Sequence, residues 1–179
     1  MKNPIIQKGF TMVELIITIA ILSFGIIGVY SAFSPFIMST NNIPFRFTAV
    51  YLAQEGFEIV KNIRDNNFID KKTWSSELMN CALGCQADYK TGTLTQTSLN
   101  QLKPYDPNNF LKLNSDAFYS YDIGLDTKFK RKITINQPSE ITITHPSGID
   151  TLKVNIQVFW DYNGQQFSFE TKGDLYDWY

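Results

Sequence analysis

The sequence predicts an α+β fold: a long N-terminal helix, transmembrane and then amphipathic, packed on a C-terminal antiparallel β-sheet. Three observations carry that expectation. No charged residue occurs from Leu15 to Met38. From about Phe45 to Asn67, apolar residues recur at helical spacing. Beyond Phe110 the pattern changes to period-2 runs, with a hairpin signal at Asn163-Gly164. The chain then divides into a leader at 1–9, a hydrophobic helix at 10–38 and an amphipathic helix at 39–69. A variable loop region at 70–109 and the sheet at 110–179 complete it.

The uncharged stretch would span roughly 36 Å as a helix at about 1.5 Å per residue. A bilayer core needs about 20 apolar residues, so the segment can cross a membrane. Gly25 and Gly28 read either as ordinary glycine of a membrane helix or as a weak stretch that bends when its surroundings change. Pro35 and then Asn41-Asn42-Ile43-Pro44 signal a kink or break, since proline removes a donor and biases its predecessor away from the helix.

In the second helical pattern, Ala49, Leu52, Ala53, Gly56, Val60 and Ile63 form an apolar stripe, with Phe57 beside them. Gln54, Glu55, Glu58, Lys61, Asn62 and Asp65 take the other face, where Glu58–Lys61 and Lys61–Asp65 are helical neighbours. Residues 70 to 109 are polar and irregular. The strand runs that follow are 110–114, 118–123, 128–136, 140–145, 152–162 and 165–172. Val154, Ile156, Val158 and Trp160 share one face, opposite Phe167 and Phe169 of the returning strand.

Composition excludes several functions. Charged residues make up 18% of the 179-residue chain, below the roughly 25% usual for soluble domains. The formal net charge is −1, so no specific nucleic acid is implied as a partner. The basic run Lys128, Lys130, Arg131, Lys132 reads as a solvated strand face. No catalytic constellation, metal-ligand cluster or cofactor motif is present, and the single His145 before Pro146 reads as a turn or surface residue. Cys81 and Cys85 lack a third ligand for zinc and read as a small disulfide loop, with free or intermolecular thiols as the alternative. A loop that short contributes little entropic stabilisation.

The amino terminus admits three readings. A secretory signal peptide needs small residues just after its apolar core, which Val29-Tyr30-Ser31 matches poorly, and a shorter core than this one. A signal anchor fits the length but leaves Glu14 unexplained. A carboxylate at mid-bilayer costs about 2.5–3.5 kcal/mol or more. Nearer a helix end the carboxylate can snorkel to the interface, but a dedicated partner is still expected.

The third reading comes from the residues around Glu14. A short basic leader (Lys2, Lys8) ends at Gly9; Phe10-Thr11-Met12-Val13-Glu14 and the apolar stretch follow. This resembles the class III leader of type IV prepilins and pseudopilins. The resemblance implies cleavage between Gly9 and Phe10 by prepilin peptidase, N-methylation of Phe10, and pairing of Glu14 with the terminal amine of a neighbouring subunit during assembly. Two further stretches are similar to minor pilins of the PilV type: Leu52-Ala53-Gln54-Glu55-Gly56-Phe57-Glu58 with Asn62-Ile63-Arg64-Asp65, and the strand Phe129-x-Arg131-x-Ile133-x-Ile135 with the terminal hairpin ending near Trp178. Such pilins commonly carry a proline where this chain has Ser31.

The function so implied is a structural, minor subunit of a type IV pilus or pseudopilus, not an enzyme. Its expected partners are other pilin or pseudopilin subunits, prepilin peptidase, the inner-membrane assembly machinery and, before assembly, membrane lipid. The expected location is the cytoplasmic membrane as a single-pass protein, extracytoplasmic domain outward, then the pilus or pseudopilus at the cell surface or in the periplasm. The alternative is a membrane-anchored extracytoplasmic binding protein that forms no filament.

Overall fold

The computed structural model describes residues 9–93, 101–138 and 151–177. The chain divides into two compact units, Met1–Ile43 and Pro44–Tyr179. Among the described residues, helix α1 (Met12–Ile69) supplies all of the secondary structure in the first and one layer of the second. The fold is α+β, with α1 packed on antiparallel sheet.

In the first unit the helix is apolar on every side and exposed from Met12 to Phe33: Leu15, Ile17 and Ile19 are each more than half exposed. A helix hydrophobic all round demands an apolar environment that the chain itself does not provide. It is long and apolar enough to cross a membrane. Thr18 and Ser23 donate their hydroxyls to the carbonyls of Leu15 and Ile19, which satisfies both polar groups within the helix. The helix continues past Pro35 and Pro44, so neither proline ends it. Thr40 and Thr48 donate their hydroxyls to the carbonyls of Phe36 and Pro44 within the helix.

In the second unit the stripe Ala49, Leu52, Ala53, Gly56, Val60 and Ile63 is buried, while Gln54, Glu58 and Asn62 face outward. Ile59 joins the buried face. Lys61 pairs with Glu58 at 3.4 Å, and Asp65 is taken by its neighbour Arg64 at 2.8 Å. That local partner displaces the Lys61–Asp65 contact that spacing alone suggests.

The stripe rests on a five-stranded antiparallel sheet in the order β2-β1-β6-β7-β8. The strands are β1 (Cys85–Gln86), β2 (Lys103–Pro104), β6 (Phe129–Asn136), β7 (Thr151–Tyr162) and β8 (Gln165–Tyr176). A second sheet, in the order β4-β3-β5, is made of β3 (Lys112–Leu113), β4 (Tyr119–Ser120) and β5 (Leu125–Asp126). Thus the sheet reaches back into 70–109, where β1 and β2 are too short to show a period of two. The expected runs 110–114 and 118–123 reduce to two-residue strands. The run at 140–145, with His145, lies outside the described residues, as do Lys2, Lys8 and Trp178.

The hairpin signal has its geometric basis in Asn163 (φ 51°) and Gly164 (φ 75°), the left-handed pair that a two-residue turn requires. That turn sets the register Tyr162↔Gln165, from which Trp160↔Phe167 and Val158↔Phe169 follow. Strand β8 continues four residues past the predicted end. Gly173 and Asp174 are poor strand formers, but Val154 and Lys153 of β7 pair with them. Val154, Ile156, Val158 and Trp160 are all at most 2% exposed and form the middle of the core. Each such side chain contributes about 1.5–3 kcal/mol by its burial.

Candidate functional site

The residues singled out at the amino terminus lie at the start of α1. Gly9 and Phe10 precede the helix, outside any regular element, and both are exposed, Phe10 to 76%. Open space surrounds the α-carbon of Gly9. Thr11 caps the helix: its hydroxyl accepts the Glu14 N–H at 3.3 Å and its carbonyl accepts the Leu15 N–H at 3.1 Å. Thr11-x-x-Glu14 is the sequence pattern of a capping box, with a carboxylate in the first turn where the helix dipole favours negative charge. That pattern was available in the sequence, and a place in the first turn favours a carboxylate at Glu14 whether or not it pairs between subunits.

A peptide bond outside the helix is open to a protease, and a cut there would leave a new amine just ahead of the capped turn. Glu14 is exposed in a first turn that otherwise presents apolar side chains. Among the described residues, no group of three or more His, Cys, Asp or Glu side chains could hold a metal ion.

Cys81 and Cys85 are joined by a disulfide, with α-carbons 5.1 Å apart. Both are buried in the core beside Trp74 and Leu78. The bond ties the 3-10 turn Leu78–Cys81 to β1, which pairs in turn with β6 through Cys85↔Ile133.

The basic run needs a correction. Lys128, Lys130 and Lys132 are half-buried and sit over the rings of Phe45, Phe110 and Tyr105, at 3.8, 5.0 and 5.6 Å. Arg131 lies on the opposite face of β6 and is fully buried. Alternation puts it in line with Phe129, Ile133 and Ile135, so the strand period overrides the charge pattern. Its guanidinium donates to the Leu52 carbonyl (2.7 Å), the Glu55 carboxylate (2.8 Å) and the Ala87 carbonyl (2.5 Å). One buried cation therefore clamps the helix, the sheet and the segment after β1. Tyr121 donates its hydroxyl to the Arg131 carbonyl at 3.2 Å, and burial pushes its pKa up to about 12 although the Arg131 charge opposes that shift.

Compared with known families, the chain matches the prokaryotic N-terminal methylation motif over residues 6–30. No curated protein and no solved structure matches it.

Proposed function

We propose, from a chain that carries a prokaryotic N-terminal methylation motif, a structural and minor subunit of a type IV pilus or pseudopilus. The single observation that carries the reading is the match over residues 6–30, which brackets Gly9, Phe10, Glu14 and most of the uncharged helix. In this reading prepilin peptidase cuts the exposed bond between Gly9 and Phe10, and the amine of Phe10 is methylated. Residues 10–38 hold the subunit in the cytoplasmic membrane and then form its part of the filament core. Glu14 pairs with the terminal amine of a neighbouring subunit. The partners are other pilins or pseudopilins and the inner-membrane assembly machinery, and the domain from Pro44 onward faces away from the cytoplasm.

A second reading has one observation in its favour. Glu14 lies in the first turn of α1, where the helix dipole favours a carboxylate, so the side chain has a local role without a partner subunit. The protein would then be an anchored extracytoplasmic binding protein. Intact-mass and N-terminal analysis of protein from its native membrane separates the two. The filament reading expects a methylated Phe10 as first residue, and a bulky residue in place of Gly9 should block processing. A chain beginning at Met1, or cut after Ser31, overturns it.

A further inference from the structure

The five-stranded sheet has two unlike edges. At one, β2 is two residues long and ends in Pro104, which has no N–H to donate. At the other, β8 runs for twelve residues, with no proline and an unbroken one-to-one register along β7. Among the described residues nothing pairs with its outer edge. Edges of that length are normally blunted by proline, bulges or charge, because free N–H and C=O groups recruit other strands. Here charge is the device used, and its pattern is informative.

Side chains of β8 alternate between two faces. Ser168, Glu170, Lys172 and Asp174 are exposed, whereas Phe167, Phe169, Thr171, Gly173 and Leu175 turn toward the helix and core. Glu170 and Lys172 already pair within the strand at 3.2 Å. In-register parallel pairing of two copies would stack Glu170 on Glu170 and Lys172 on Lys172. Antiparallel pairing centred on Thr171 does the reverse: each Glu170 meets the other copy's Lys172, and Asp174 meets Ser168. On the inner face the same register sets Phe169 against Gly173 and Phe167 against Leu175. The ring of Phe57 already fills the space that a side chain at Gly173 would take, so a Phe169 set against Gly173 would meet that ring. Beside it runs a groove of about 330 Å³ lined by Gln54, Phe57, Glu58, Lys61, Thr171 and Lys172.

We infer that the outer edge of β8 is a docking surface for a second copy of this chain. The two β8 strands pair antiparallel about a two-fold axis at Thr171, and Phe169 of each copy enters the other's groove against Phe57. The interface is isologous, so every contact occurs twice. Strand addition beside a helix is a recurring recognition mode in which backbone bonds supply affinity and side chains select the register. The contact does not depend on how the amino terminus is processed.

The test is disulfide capture in the full-length protein, dissolved with detergent micelles in excess so that N-terminal helices are not crowded together. With Cys81 and Cys85 already bonded, Thr171→Cys introduces a single free thiol. Residues directly opposed across an antiparallel pair have α-carbons about 4.5–5.5 Å apart, within disulfide reach. Asp174→Cys is the control, since in this register its two copies lie roughly 20 Å apart. The expected result is a covalent dimer with Thr171→Cys and none with Asp174→Cys. Adding Glu170→Lys to Thr171→Cys should cut the yield on the order of tenfold, as two favourable cross-strand pairs become two repulsive ones. Adding Lys172→Glu as well should restore it, because the pairs are re-formed with their signs exchanged. Absence of a Thr171→Cys dimer, equal capture at position 174, or indifference to Glu170→Lys overturns the proposal.

Discussion

Arg131 is the residue at which charge pattern and environment part most sharply. It stands among three lysines, yet it is buried and bonded to Leu52, Glu55 and Ala87. Removing one partner of such a pair leaves an uncompensated buried charge, so the cluster is costly to break and intolerant of partial repair. Tyr121 closes it from the other side, and its raised pKa has a consequence for stability. The folded state favours the neutral phenol, with a pKa of about 12 against the ordinary value of 10.0. This contribution is complete below about pH 10 and is lost as pH rises toward 12, because only the unfolded chain releases the proton early. The loss amounts to roughly 2–3 kcal/mol over that range. Urea unfolding at a series of pH values should show it, and Tyr121→Phe should flatten the fall. The same substitution should lower stability at pH 7 by about 1 kcal/mol, through the lost hydrogen bond. An unchanged alkaline slope in the variant would show that Tyr121 titrates normally.

At the scale of elements, the meeting of α1 with β6 and β7 turns on Gly56. A β-carbon there would stand 2.9 Å from the Arg131 Cδ and 3.3 Å from Ile156. Alanine raises helix propensity by about 1 kcal/mol, so Gly56→Ala would stabilise an exposed helix. Here the guanidinium is held at three points and cannot withdraw, and overpacking costs about 1–3 kcal/mol. Gly56→Ala should therefore lower the unfolding free energy, measured by tryptophan fluorescence in urea; a gain in stability would mean that the arginine yields. The same logic separates the elements legible in sequence from those that are not. Strands β6, β7 and β8 are long enough for period 2 to show, and Asn163-Gly164 sets their turn. Strands β1 and β2 are two residues each and exist only because β6 offers an edge to β1, which in turn offers one to β2.

For the molecule as a whole, the filament proposal places the decisive interaction at Glu14. Its carboxylate sits in the capped first turn of a helix that is otherwise apolar and exposed. Glu14→Ala should leave membrane insertion and leader cleavage nearly unchanged, since neither needs a partner for the carboxylate. Incorporation into filaments should fall, because an apolar filament core penalises an unpaired terminal amine. Immunoblots of membrane and sheared-filament fractions make the comparison. Equal incorporation of the mutant would leave Glu14 with only its favourable place at the helix start and favour the anchor reading.

Composition and local order alone determined the apolar helix, the amphipathic stripe from Ala49 to Ile63 and the β7–β8 hairpin. Each depends on neighbours within a turn or across a two-residue loop, so its physics is local. The tertiary structure decided the burial of Arg131, the enlistment of Cys85–Gln86 and Lys103–Pro104 as strands, and the contrast between a blocked sheet edge and an open one. Those outcomes join residues as far apart as Leu52 and Arg131. Which groups meet there is set by the packing of the helix on the sheet, where a buried cation must find acceptors wherever the backbone presents them.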